Sequence, residues 1–140
     1  MNTLSHFEQV GSRGFYRPVA RVSFEQAIEM VAQAMRVASG LGLTDLLVNG
    51  TGLTGFEPPD VFARYQLAIK WTQSAANLRV AIVTRPENID PQKIGMLMAE
   101  NRGAIGDVFT TEVEALAWLD ARQGLGPRAP RTPNQPRVTD

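Results

Sequence analysis

The sequence has no cysteine and one histidine, His6. Without cysteine there is no disulfide framework, thiol nucleophile, iron–sulfur cluster or thiolate zinc site. With a single histidine, one chain cannot form a His-His metal pair or a two-histidine relay. His6 itself lies in an N-terminal segment expected to be frayed and solvated. A charge excess is missing too. Fourteen Lys+Arg balance fourteen Asp+Glu, which removes the attraction that a nonspecific nucleic-acid binder or an anionic-membrane binder needs. No apolar run approaches the roughly 18 residues of a membrane span, and MNTLSHFEQV has neither a basic nor an apolar signal region. The expectation is a cytoplasmic protein that uses no cofactor or metal, contacts no nucleic acid and has no membrane span.

What is present suits one globular domain: 140 residues, 44% of them hydrophobic and 20% charged. Residues 1–123 are the expected domain, long enough to bury about two thirds of the surface of the unfolded chain. Residues 124–140 read GLGPRAPRTPNQPRVTD, with Pro127, Pro130, Pro133 and Pro136 every third residue. Polyproline II has three residues per turn, so the prolines fall on one stripe. The segment is expected to be a disordered tail, or a docking peptide for an aromatic groove with Arg128, Arg131 and Arg137 adding charge.

Within the domain, GFYRPVARV (14–22) predicts a first strand, placed at a sheet edge by Pro18. Ser23 and Gln26 have capping-box spacing, and Phe24, Ala27, Ile28, Val31, Met35 and Ala38 form one helical face, closed at Gly40 or Gly42. DLLVN (45–49) predicts a buried strand, and Pro58, Pro59 and Asp60 open a second helix with Val61, Phe62, Tyr65, Ile69 and Trp71 or Thr72 inward. LRVAIVT (78–84) is the clearest central strand. Residues 92–101 predict a helix and 107–109 a short strand. Thr111 and Glu114 then cap a last helix carried by Val113, Leu116, Ala117 and Leu119 to about Gln123. Alternating strands and helices give an α/β fold with four or five strands, the crossovers being long enough for parallel neighbours.

Gly50-Thr51-Gly52-Leu53-Thr54-Gly55 fits the G-x-G-x-x-G dinucleotide pattern and follows a strand. The context argues against that use. A dinucleotide helix starts within the motif so that its amides face the phosphate, whereas here the helix start is at 58–60, and the following strand ends in Arg85 rather than an acid. No Walker-type G-K-[ST] is present. The pairs Glu25/Glu29, Glu57/Asp60 and Glu112/Glu114 sit near helix starts or on polar helix faces, where the helix dipole explains them better than acid–base catalysis. In an open α/β sheet, ligands sit beyond the carboxyl ends of the strands. Those ends carry Asn49, Thr51, Thr54, Thr84 and Arg85, with Arg85 the candidate anion anchor.

Taken in order, VSFEQAIEMVAQAM, LLVNGTGLTGFEPPDVFARY, LRVAIVTRPENIDPQKIG and NRGAIGDVFTTEVEALAWL resemble the SpoIIAA-like group of STAS-related domains, over roughly Phe15 to Leu119. The most specific element is VFTTEVEALAWL. The resemblance implies a small, often bacterial, βα sandwich with helices mainly on one face and no established activity. Related STAS domains act by binding, and the anti-sigma-factor antagonists among them are switched by phosphorylation of a serine at a helix start. Phe56-Glu57-Pro58-Pro59-Asp60 has no hydroxyl there, leaving Thr51 or Thr54. The group is also similar to CRAL-TRIO lipid carriers.

The expected function is therefore a non-enzymatic STAS-like regulatory module that binds a protein partner through Thr51, Thr54, Phe56 and the helix after them. The alternative is a carrier or sensor of a small anionic or lipid-like ligand near Asn49 and Arg85. A homodimer is also expected, with Phe15, Tyr16, Phe62 and Trp71 as its candidate interface residues.

Overall fold

A computed structural model describes residues 4–58, 60–75, 78–88 and 105–122. The predicted helix at 92–101 and the tail at 124–140 lie outside them. The described chain runs β1 (Phe7–Val10), β2 (Arg13–Tyr16), β3 (Ala20–Arg21), α1 (Phe24–Gly40), β4 (Asp45–Asn49), β5 (Leu53–Thr54), α2 (Val61–Ala75), β6 (Arg79–Val83), a 3-10 turn (Pro86–Asn88), β7 (Ile105–Phe109) and α3 (Glu112–Arg122).

The main sheet is mixed and five-stranded, in the order β1-β2-β4-β6-β7, with β1 antiparallel to β2 and the other pairs parallel. Because β2, β4 and β6 follow one another in both chain and sheet, right-handed crossovers carry the helices between them, α1 and α2, over the same face. Accordingly, α1 and the end of α2 pack Val31, Ala34, Met35, Ala38 and Ala75 on Leu46, Val48, Val80 and Ile82. Side chains alternate along each strand, and Leu47, Ala81 and Val83 face the other way, where α3 covers them with Ala115 and Leu119. β4 and β6 are thus buried on both faces, as their unbroken apolar sequences require.

The helix starts follow local chemistry. Ser23 Oγ accepts from Gln26 N at 3.1 Å and Gln26 Oε1 accepts from Ser23 N at 2.9 Å, the expected capping box. Leu41 is the C-cap and Gly42 follows at φ +76. Asp60 Oδ1 caps α2 through Ala63 N at 2.8 Å.

Four expectations are corrected. The N-terminal segment is not frayed from Phe7 onward, since it forms β1. Gly14–Val22 is not one edge strand: β2 is internal and ends at Tyr16, and buried Pro18, lacking an N–H, stands where the ladder breaks. In α2 the face is rotated, leaving Phe62 67% and Tyr65 39% exposed while Ser74 and Ala75 are buried. In α3, Leu119 is buried and Leu116 packs beside it as expected, but the face is completed by Ala115, and Val113 and Ala117 are exposed.

Candidate functional site

Past the break at Pro18, the paths of β2 and β4 meet again as a two-stranded parallel ribbon, Ala20↔Leu53 and Arg21↔Thr54. Ala20 N donates to Gly52 O at 3.1 Å and Val22 N to Thr54 O at 2.7 Å. This pairing accounts for the glycine pattern. A Cβ on Gly52 would lie 2.6 Å from Pro18 O, and Gly55, at φ +99, passes against Val22. The loop amides are already used: Gly50 N bonds Val83 O, Leu53 N bonds Gly50 O, and Thr51 N bonds Asn49 Oδ1. A phosphate cradle needs those amides turned outward, so the G-x-G-x-x-G segment serves backbone packing.

The interruption between sheet and ribbon exposes the carboxyl ends of β2 and β4 to the start of α3. Arg17 grips Glu112 in a two-pronged pair, Nε to Oε2 at 2.8 Å and Nη2 to Oε1 at 3.0 Å, while its guanidinium lies 5.0 Å from the Phe15 ring centroid. Asn49 Nδ2 donates to the same Glu112 Oε2 at 2.8 Å. Its Oδ1 accepts from Thr51 Oγ1 at 2.7 Å and from Thr51 N at 3.0 Å, and Arg85 Nη2 donates to Thr51 O at 2.8 Å. A continuous polar chain, Arg17–Glu112–Asn49–Thr51–Arg85, therefore ties α3 to three successive strand ends. The hydrogen bond from Arg17, reinforced by that from Asn49 and opposed by partial burial, holds the Glu112 carboxyl below the usual carboxylate range.

Asn49, Thr51 and Arg85 are thus brought together as the sequence suggests. Thr54 lies in the ribbon, and Phe56 packs against Phe24 with ring centroids 5.7 Å apart. Arg17 and Glu112 escaped sequence reading because they meet across 95 positions, and Glu112 carries only the local signal of a first-turn carboxylate. Of the candidate interface residues, Tyr16 is buried in the core and Trp71 packs against it, donating Nε1 to Ile28 O at 3.2 Å. Phe62, by contrast, is open.

Among the described residues, no group of three or more His, Asp or Glu side chains is placed to hold a metal ion, and no helix is long and apolar enough to cross a membrane. The chain matches no family model, no curated protein and no solved structure.

Proposed function

We propose that this chain is a cytoplasmic STAS-like module that works by binding a protein rather than by catalysis, and that the partner meets the side of the molecule made by loop 50–56 and the exposed face of α2. The observation that carries this reading is the pair Phe62 and Tyr65, 67% and 39% exposed and one helical turn apart at the start of α2. Solvated aromatic side chains at (i, i+3) spacing offer a ready anchor, and burying a phenylalanine contributes about 1.5–3 kcal/mol. The sequential parallel strand order, with α1 and α2 on one face, supports the STAS-like part of the proposal.

The alternative, a small anionic or lipid-like ligand beyond the strand ends, receives less support. Its anchor Arg85 is engaged with Thr51 O, and Asn49 and Thr51 are bonded to each other. An incoming ligand would have to displace these internal bonds.

Site-directed photo-crosslinking in the native host tests the surface. A crosslinker at Phe62 should trap one defined protein, and Tyr65→Ser in the same chain should abolish the adduct. A crosslinker at Val113, equally apolar and exposed on α3, should trap nothing comparable. The same adducts from both positions, or none from Phe62, would remove α2 as the docking face.

A further inference from the structure

The sequence contains one Asn-Gly pair, Asn49-Gly50, and the fold sets it in the middle of the polar chain that holds α3 to the strand ends. An asparagine followed by glycine carries its own reactive partner. The glycine nitrogen can attack the side-chain amide carbon, and with no Cβ on the following residue nothing crowds the approach. In that step the bond from Gly50 N to Asn49 Cγ forms and the bond from Cγ to Nδ2 breaks, the Gly50 amide proton leaving with the departing nitrogen as ammonia. Water then opens the cyclic imide at one of its two carbonyls, which gives either an aspartate or an isoaspartate. The folded chain opposes this reaction at each reacting group. Gly50 N donates to Val83 O at 2.8 Å, so its proton is engaged. Asn49 closes β4 opposite Val83, and the extended backbone there turns the Gly50 nitrogen away from the side chain that it would attack. That side chain is fixed at both ends, with Nδ2 donating to Glu112 Oε2 at 2.8 Å and Oδ1 accepting from Thr51 N at 3.0 Å and Thr51 Oγ1 at 2.7 Å.

We propose that Asn49-Gly50 is a self-modification site held shut by the fold, and that the acid formed there after local opening releases α3 from the strand ends. An acid at position 49 carries an oxygen where the donating amide nitrogen now stands. Two carboxylates then meet across the 2.8 Å that separates Nδ2 from Glu112 Oε2, with no proton between them, and like charges that close repel. The isoaspartate branch disturbs the backbone as well. It adds one carbon to the main chain between the Cα of residue 49 and Gly50 N, which shifts Gly50 N out of register with Val83 O, the bond at the entry to the β3–β5 ribbon. Because ammonia is lost, the change runs one way, and the chain accumulates it in proportion to the time that its strand ends spend open.

Cleavage after Arg36 and Arg64 yields peptide 37–64, in which Asn49 is the one side-chain amide, so the mass gained on conversion of amide to acid reports that position alone. In neutral buffer at one temperature, the folded full-length chain should convert at least about tenfold more slowly than the same chain in guanidinium chloride, since reaction waits on local opening. Equal rates, or a faster folded chain, would overturn the proposal. The release of α3 is read on a separate variant. Asn49→Asp should increase amide exchange at Glu114 and Ala115, whose bonds to Thr111 begin the helix, and leave exchange in the middle of α1 unchanged. Adding Glu112→Gln to Asn49→Asp sets an amide opposite the new acid and should restore protection at those two amides, which a general loss of stability would not allow. Exchange that Asn49→Asp leaves unaltered, or that Glu112→Gln fails to restore, would overturn the coupling between position 49 and α3.

Discussion

Asp45 is a carboxylate with no solvent exposure, set between two guanidiniums on neighbouring strands. Arg13 donates to Oδ2 through Nη2 at 3.0 Å and Nε at 3.2 Å. Arg79, also buried, brings Nη2 to 2.8 Å from Oδ1, where the geometry makes a charge contact rather than an aligned hydrogen bond. Desolvating such groups is costly, and removing one partner costs more than the pair contributes. Asp45→Ala is expected to lower unfolding free energy by about 3–5 kcal/mol in urea melts, and a loss under about 1 kcal/mol would show that the triad is not a fixed part of the fold. At the other end of the sheet, Glu112 has a depressed pKa in the folded chain. Its stabilisation is therefore present above the unfolded glutamate value of about 4.3 and is lost as pH falls through the lower folded value. Glu112→Gln should flatten the acid limb of the stability curve below about pH 5, and an unchanged limb would contradict the Arg17–Glu112 linkage. Neither cluster could be read from the sequence. Arg13, Asp45 and Arg79 share a row only once the strands are in register, and local pattern carries no register information across crossovers.

At the scale of elements, what was legible followed from local rules. DLLVN and LRVAIVT announce doubly covered strands, and Ser23 with Gln26 announces the start of α1. The start of α2 is misphased because the helix has apolar residues around most of its circumference: Ala75 and Trp71 pack on the core while Phe62 and Tyr65 stay exposed, and tertiary packing decides between them. β1 was missed because FEQV is short and mostly polar, and it is held by pairing with β2 rather than by its own pattern. The β3–β5 ribbon was hidden under a nucleotide-like motif. Its dependence on close backbone approach is testable: Gly52→Ala places a methyl 2.6 Å from Pro18 O. The substitution should increase amide exchange at Ala20, Val22 and Leu53 well before it affects β4 or β6. Unaltered exchange at those three amides would mean that the ribbon does not need the glycine.

Across the whole molecule, one sheet carries two cores of different construction. The α1/α2 face is broad and apolar, with Glu29, Arg36, Lys70 and Ser74 linking the helices at its rim. The α3 face is a small apolar patch closed at both ends by ion pairs, Arg17–Glu112 at the carboxyl ends of the strands and Arg13–Asp120 at the amino ends. Of the polar residues that the sequence nominates as a ligand site, Asn49, Thr51 and Arg85 are tied into that closure and Thr54 lies in the ribbon, and the exposed aromatic pair lies on α2. The most direct measurement of the binding role is native mass spectrometry of the full-length protein isolated gently from its host. The expected result is a complex with one protein partner that disappears in the Phe62→Ser, Tyr65→Ser variant. A reproducible small-molecule adduct that survives in this variant and is lost in Arg85→Ala would contradict it and return the function to the strand ends.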